Sequence, residues 1–192
     1  AALRRTGRRV DIAAHGLWAG IGVALLAQRR VIPLRTALAA VALAMAPDLA
    51  QLLPLIVVAM FSSGGWTTLA AYSSALPGME PTMPPLVALL THHLHCILHS
   101  AVIAASVTLA CWVFTRTLWL PLLGWWSHIM IDVFTHSKDF YPAPILYPFT
   151  QWGFDGLAWN TPWFLIANHV IIALVIVWLL WRRWFAPRQR GR

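Results

Sequence analysis

Long apolar runs separated by polar or Pro/Gly-rich joints dominate this chain. Five stretches stand out, at 11–28, 34–61, 85–115, 118–136 and 162–181, and their lengths predict helices that cross or nearly cross the ~30 Å hydrocarbon layer of a bilayer. The first is only just long enough, at ~25 Å of helix rise. Two joints are long. Residues 62–84 and 137–161 are rich in Gly, Pro, Ser and aromatics and read as ordered interfacial loops. Pro47 and Pro54 are expected to break the second stretch near Asp48, freeing backbone groups of the kind that border a cavity or site. The predicted fold is therefore all-α: a polytopic membrane helix bundle of about five segments with two long interfacial loops. It forms one integral membrane domain over residues 1–192, closed by a basic tail at 182–192, with no internal repeat.

Composition supports that reading. The chain is 59% hydrophobic and 10% charged, against about 25% charged residues in a soluble domain. The formal charge of +8 would suggest nucleic acid in a soluble protein. Here the basic residues gather at segment ends, in Arg4, Arg5, Arg8 and Arg9, in Arg29, Arg30 and Arg35, and from Arg182 to Arg192. That placement suits anionic lipid headgroups, and no interleaving of basic and aromatic residues supports a nucleic-acid partner. Cys96 and Cys111 lie too far apart along one apolar run to pair, so neither a disulfide framework nor a CxxC clip is expected. No secretory signal is read at the Arg-rich start.

If all five segments span, the N-terminus and both long loops share one side. That side carries five basic residues and the other nine, which places the nine in the cytoplasm and the candidate site near the periplasmic face of an inner membrane. The N-terminal Arg cluster fits less well. An interfacial or re-entrant first segment would move thirteen of the fourteen basic residues to the cytoplasm.

Against this background, His15, Asp48, His95, His99, His128 and Asp132 change the picture. Ionisable groups in hydrocarbon cost roughly 2.5–3.5 kcal/mol each on insertion scales, so they call for a partner or a task. His95 and His99 are four apart, as are His128 and Asp132, and on a helix each pair shares one face. Such pairs can hold one cation, with zinc favoured by mixed imidazole and carboxylate donors and manganese or iron as alternatives. The six residues are the candidate metal ligands. Asp132 and Asp48 are also candidate catalytic groups, as ligands or as a general base. Around them, His92, Ser100, His136 and Lys138 are candidates for support of the ligands or contact with substrate.

Plainer readings stand beside each. The run THHLHCILHS at 91–100 holds four His in eight positions, too many for isolated core histidines, although His92 and His93 suit an interface. His128 and Asp132 also make sense as a pair bonded only to each other. Asp48, after Pro47, can cap a following half-helix, and His15, near a segment end, can be a solvated interfacial residue. Ser100 and Ser127 read as back-bonding or supporting hydroxyls.

At these residues the chain resembles the YdjM-like family of LexA-regulated, inner-membrane, metal-dependent hydrolases. The matching positions are His15 in AAHG, Pro47 with Asp48, His99 with Ser100, and His128, Asp132 and Thr135 leading to PAPILYPF. The block from Ser127 to about Trp159 is the most specific match, and the resemblance covers most of residues 11–160. One departure falls at Leu94, where many members carry a His; His93 and His95 flank it, and the spacing to His99 selects His95. The resemblance implies a divalent-metal hydrolase of the bacterial inner membrane and leaves its substrate open.

The leading expectation is thus a hydrolase using one or two cations to activate water. Its substrate is expected to be amphipathic, a lipid or lipid-linked ester or phosphoester, with membrane lipids as partners. Two alternatives remain. One is a di-iron lipid oxygenase, for which the His clusters are sparse. The other is a non-catalytic subunit docking to a larger membrane complex through a surface rich in the chain's twelve Trp, with an ion or proton pathway as a variant.

Overall fold

Each of the five apolar stretches folds as helix, but the two longest fold as bent pairs. The computed structural model describes residues 12–73, 75, 79–139 and 141–185; the Arg4 to Arg9 cluster and the tail from Arg188 lie outside them. Among the described residues there are eight helices and no strand: α1 (Ile12–Ala27), α2 (Leu34–Gln51), α3 (Leu53–Phe61), α4 (Gly65–Tyr72), α5 (Pro85–Leu98), α6 (Ala101–Thr115), α7 (Leu122–Thr135) and α8 (Pro162–Phe185). Only α8 is by itself long and apolar enough to cross a membrane, and the number rises to three if α2 with α3 and α5 with α6 each count as one bent span. By length and composition, then, one to three of the five expected segments qualify as spans among the described residues.

The break in the second stretch falls at Leu52, with a bend of 56°. Pro47 stays inside α2, and Pro54 occupies the first turn of α3, where its missing N–H is not needed. Asp48 therefore lies a turn before the end of α2 and caps nothing; no side chain caps α3. The 62–84 joint is not all loop. It contains α4, which starts after Gly64 at φ 76, a left-handed turn that glycine makes without a Cβ penalty.

The third stretch breaks where one helix was expected. His99 ends α5 and Ser100 caps α6, its hydroxyl accepting the Ile103 N–H rather than back-bonding within a helix. The bend is 62°. Freed backbone groups there find partners: Trp125 donates its indole N–H to the Leu98 carbonyl, the Ala101 N–H bonds the Ile145 carbonyl, and the Ser100 hydroxyl donates to the Tyr147 carbonyl. The Pro-rich segment after α7 is thereby seated on the break. That same loop turns back on α7, as the N–H groups of Gly156, Leu157 and Trp159 bond the carbonyls of His136, Phe134 and Thr135. These bonds satisfy carbonyls at a helix end that would otherwise lack partners, so the described part of the 137–161 loop is held against α7.

Helix α2 is the hub, packed against α1, α5 and α7. Gly124 lets α7 approach it, since a Cβ at that position would lie 1.9 Å from the Ala40 carbonyl oxygen. One turn further along both helices, the His128 Nδ1–H reaches the Ala44 carbonyl at 2.8 Å. Helix α8 rests on α1 through Ile172 against Ala14 and Ile21, with the Trp18 indole donating to Asn168. Most of the rest of α8, including Trp163, Trp178, Trp181 and Trp184, is exposed.

Candidate metal centre

The site forms where α1, α2, α7 and the α5–α6 break converge. Asp48, His99, His128 and Asp132 are all buried, and one ligand atom from each lies within 4.8 Å of the others. His99 and His128 have no exposed surface and Asp132 has 1%. The group brings together four of the six candidate ligands, from three separate stretches of chain, and it can hold a metal ion.

Hydrogen bonding fixes how the two imidazoles face it. His128 Nδ1 donates to the Ala44 carbonyl and His99 Nδ1 to the His95 carbonyl, each at 2.8 Å. A carbonyl only accepts, so the proton sits on Nδ1 and Nε2 presents a lone pair in the neutral ring. These two Nε2 atoms face each other at 3.0 Å. Both also approach Asp132 Oδ2, at 3.2 Å from His99 and 3.1 Å from His128, and Asp48 Oδ1 at 3.6 and 4.0 Å. With both rings neutral, four lone-pair atoms converge on one space. A cation resolves this arrangement: zinc bonds of about 2.0–2.1 Å at tetrahedral angles put neighbouring donors about 3.3–3.4 Å apart.

Asp132 shows the same need. Neither of its carboxylate oxygens has a hydrogen-bond partner, although four imidazoles stand within 3.1 to 3.7 Å. An uncompensated buried carboxylate costs several kcal/mol. The donor set and these orphaned oxygens fit a metal ion.

His15 joins from α1. Its Nε2 lies 3.1 Å from Asp132 Oδ1 and 3.9 Å from Asp48 Oδ2, and it is buried rather than solvated as an interfacial residue would be. His95 does not enter the group of four. Because α5 ends at His99, the His95 ring contributes by hydrogen bonding instead, its Nδ1 lying 2.9 Å from Gln51 Oε1 while Gln51 Nε2 donates to Asp48 Oδ1 at 3.3 Å. Gln51 thus orients Asp48. Its place three residues after Asp48, on the same helical face, was the available signal.

The surrounding candidates divide. His136 Nδ1 donates to the Tyr141 carbonyl, and its Nε2 lies 3.7 Å from Asp132 Oδ1. Tyr141 is held at φ 46, a conformation costing a non-glycine residue about 1–2 kcal/mol. Its carbonyl is taken by His136 and its hydroxyl donates to Glu80. Burial, then Glu80, holds that phenol well above the ordinary tyrosine range. Lys138 turns away to the surface, pairing with Asp155 at 3.9 Å, because Asp155 also receives the Lys138 backbone N–H. Ser127 back-bonds to the Gly124 carbonyl, and His92 contacts the Cys96 sulfur.

A cavity of about 210 Å³ abuts the centre, and His15, Asp48, His95 and His136 line it together with apolar and aromatic residues such as Trp18, Leu52 and Phe164. His92 and Thr91 also face it, whereas Lys138 does not. His99, His128 and Asp132 lie behind that wall. Over its described residues the molecule is all-helical, with at least one helix apolar and long enough to cross a membrane and a buried His/Asp group able to hold a metal ion. No family profile, curated protein or solved structure matches the chain.

Proposed function

We propose that this protein is a membrane-embedded, metal-dependent hydrolase acting on an amphipathic ester or phosphoester, with zinc as the favoured metal and a bacterial inner membrane as its location. The observation that carries the reading is the pair of Nε2 atoms of His99 and His128, 3.0 Å apart and turned toward two buried carboxylates. The resemblance to YdjM-like hydrolases at His15, Asp48, His99, His128 and Asp132 supports it independently of that geometry.

When bound, a divalent cation lowers the pKa of a coordinated water toward neutrality and polarises the scissile group. The protein supplies the rest. The Ala44 and His95 carbonyls lock both imidazoles in the ligating tautomer, a constraint of the kind that raises ligand basicity. Asp48 is the one carboxylate that belongs to the group and also lines the cavity, so it is placed to accept a proton from an attacking water. The largely apolar walls suit an acyl or isoprenoid chain. Membrane lipid covers the exposed face of α8, and the short α1 and α7 complete a five-segment bundle around the site.

Purified protein in detergent is expected to hydrolyse a fluorogenic amphipathic phosphoester or carboxylic ester. A chelator should abolish this turnover and added Zn²⁺ restore it, while His99→Ala lowers kcat at least a hundredfold. Chelator-resistant turnover retained by His99→Ala would refute the proposal.

A further inference from the structure

Both oxygens of Asp132 are buried and without a hydrogen-bond partner, and they face different groups. Oδ2 points to His99 and His128, at 3.2 and 3.1 Å. Oδ1 points the other way, to His15 Nε2 at 3.1 Å and His136 Nε2 at 3.7 Å. Asp48 is divided in the same sense, with Oδ1 on the His99 and His128 side and Oδ2 on the His15 side. A single cation between His99 and His128 satisfies only one face of Asp132.

We propose a second divalent-cation position, held by His15, His136 and Asp132 Oδ1, with Asp132 bridging it to the inner position. This rests on the metal-centre reading above and deepens it. The His136 Nδ1–H is committed to the Tyr141 carbonyl, so its Nε2 is the lone-pair atom on the Asp132 side. Spacings of 3.1 and 3.7 Å between these nitrogens and the shared oxygen bracket those of donors on one ion.

The two positions differ in access. His99, His128 and Asp132 are sealed from the cavity, while His15 and His136 line it. Three protein donors leave a coordination place open toward the cavity, the pattern that separates catalytic from structural zinc. Asp48 Oδ2, 3.9 Å from His15 Nε2, stands at the rim as the proton acceptor. A bridged pair about 3.5–4 Å apart would stabilise both the attacking and the leaving oxygen of an in-line displacement, chemistry that suits a phosphoester.

Manganese makes the test direct. Detergent-purified full-length protein, loaded with Mn²⁺ and desalted, is expected to hold two ions per chain and to give the multiline electron paramagnetic resonance signal of a coupled pair. His15→Ala and His136→Gln should each reduce the content to about one ion and leave an isolated six-line signal, with unchanged gel-filtration profiles showing that the variants remain folded. One uncoupled ion in the wild type overturns the second position and leaves the inner one standing. No ion at all overturns both, and with them the proposed function.

Discussion

At the scale of single residues, tautomer decides more than proximity does. His95 and His99 share the spacing that suggests a chelating pair, yet the His95 main-chain carbonyl takes the His99 Nδ1–H and the His95 ring goes to Gln51. His95 and Gln51 therefore act on the centre through Asp48. Loss of such orienting partners typically costs 10–100-fold in metal affinity. Gln51→Ala is accordingly expected to weaken Zn²⁺ binding by about 10–100-fold without abolishing it, and His128→Ala to abolish stoichiometric binding, both read by competition with a colorimetric chelator.

At the scale of elements, the centre depends on close approach between α2 and α7. Gly124 and the Ala40 backbone meet where a side chain does not fit, and the next turn carries His128 to Ala44. Gly124→Ala must separate the helices, at a cost of about 1–3 kcal/mol for overpacking. It should lower the melting temperature in detergent and reduce metal content, while Ala substitution of exposed Leu123 changes neither. The apolar runs made all the helices but α4 legible in the sequence, and the ionisable residues within them marked His15, Asp48, His99, His128 and Asp132. Of the two kinks, the one in the second stretch was legible from its prolines and falls at Leu52, and the other was not. The His99–Ser100 break depends on carbonyls and donors from Ile145, Tyr147 and Trp125, far away in the chain, and no local pattern carries that information. In the second stretch, Pro47 stays inside α2 and Pro54 stands at the start of α3, so the expected break falls a turn beyond Asp48. The role of Gly124 is equally non-local, since its reason is a backbone on another helix.

At the scale of the whole molecule, the buried His/Asp group able to hold a metal ion is where a bound ion would add stability. Four groups able to ligate an ion converge from three stretches of chain, and unfolding disperses them. Binding at 100 times Kd stabilises the folded state by about 2.7 kcal/mol. Chelation should therefore lower the thermal midpoint in detergent, and Zn²⁺ should restore it; a midpoint indifferent to both would separate the fold from the metal. The most direct test of the central claim is elemental analysis of the purified wild type beside the His128→Ala, Asp132→Ala double variant. At least one transition-metal ion per wild-type chain and nearly none in the variant is the predicted result. Equal, substoichiometric content in the two would contradict it.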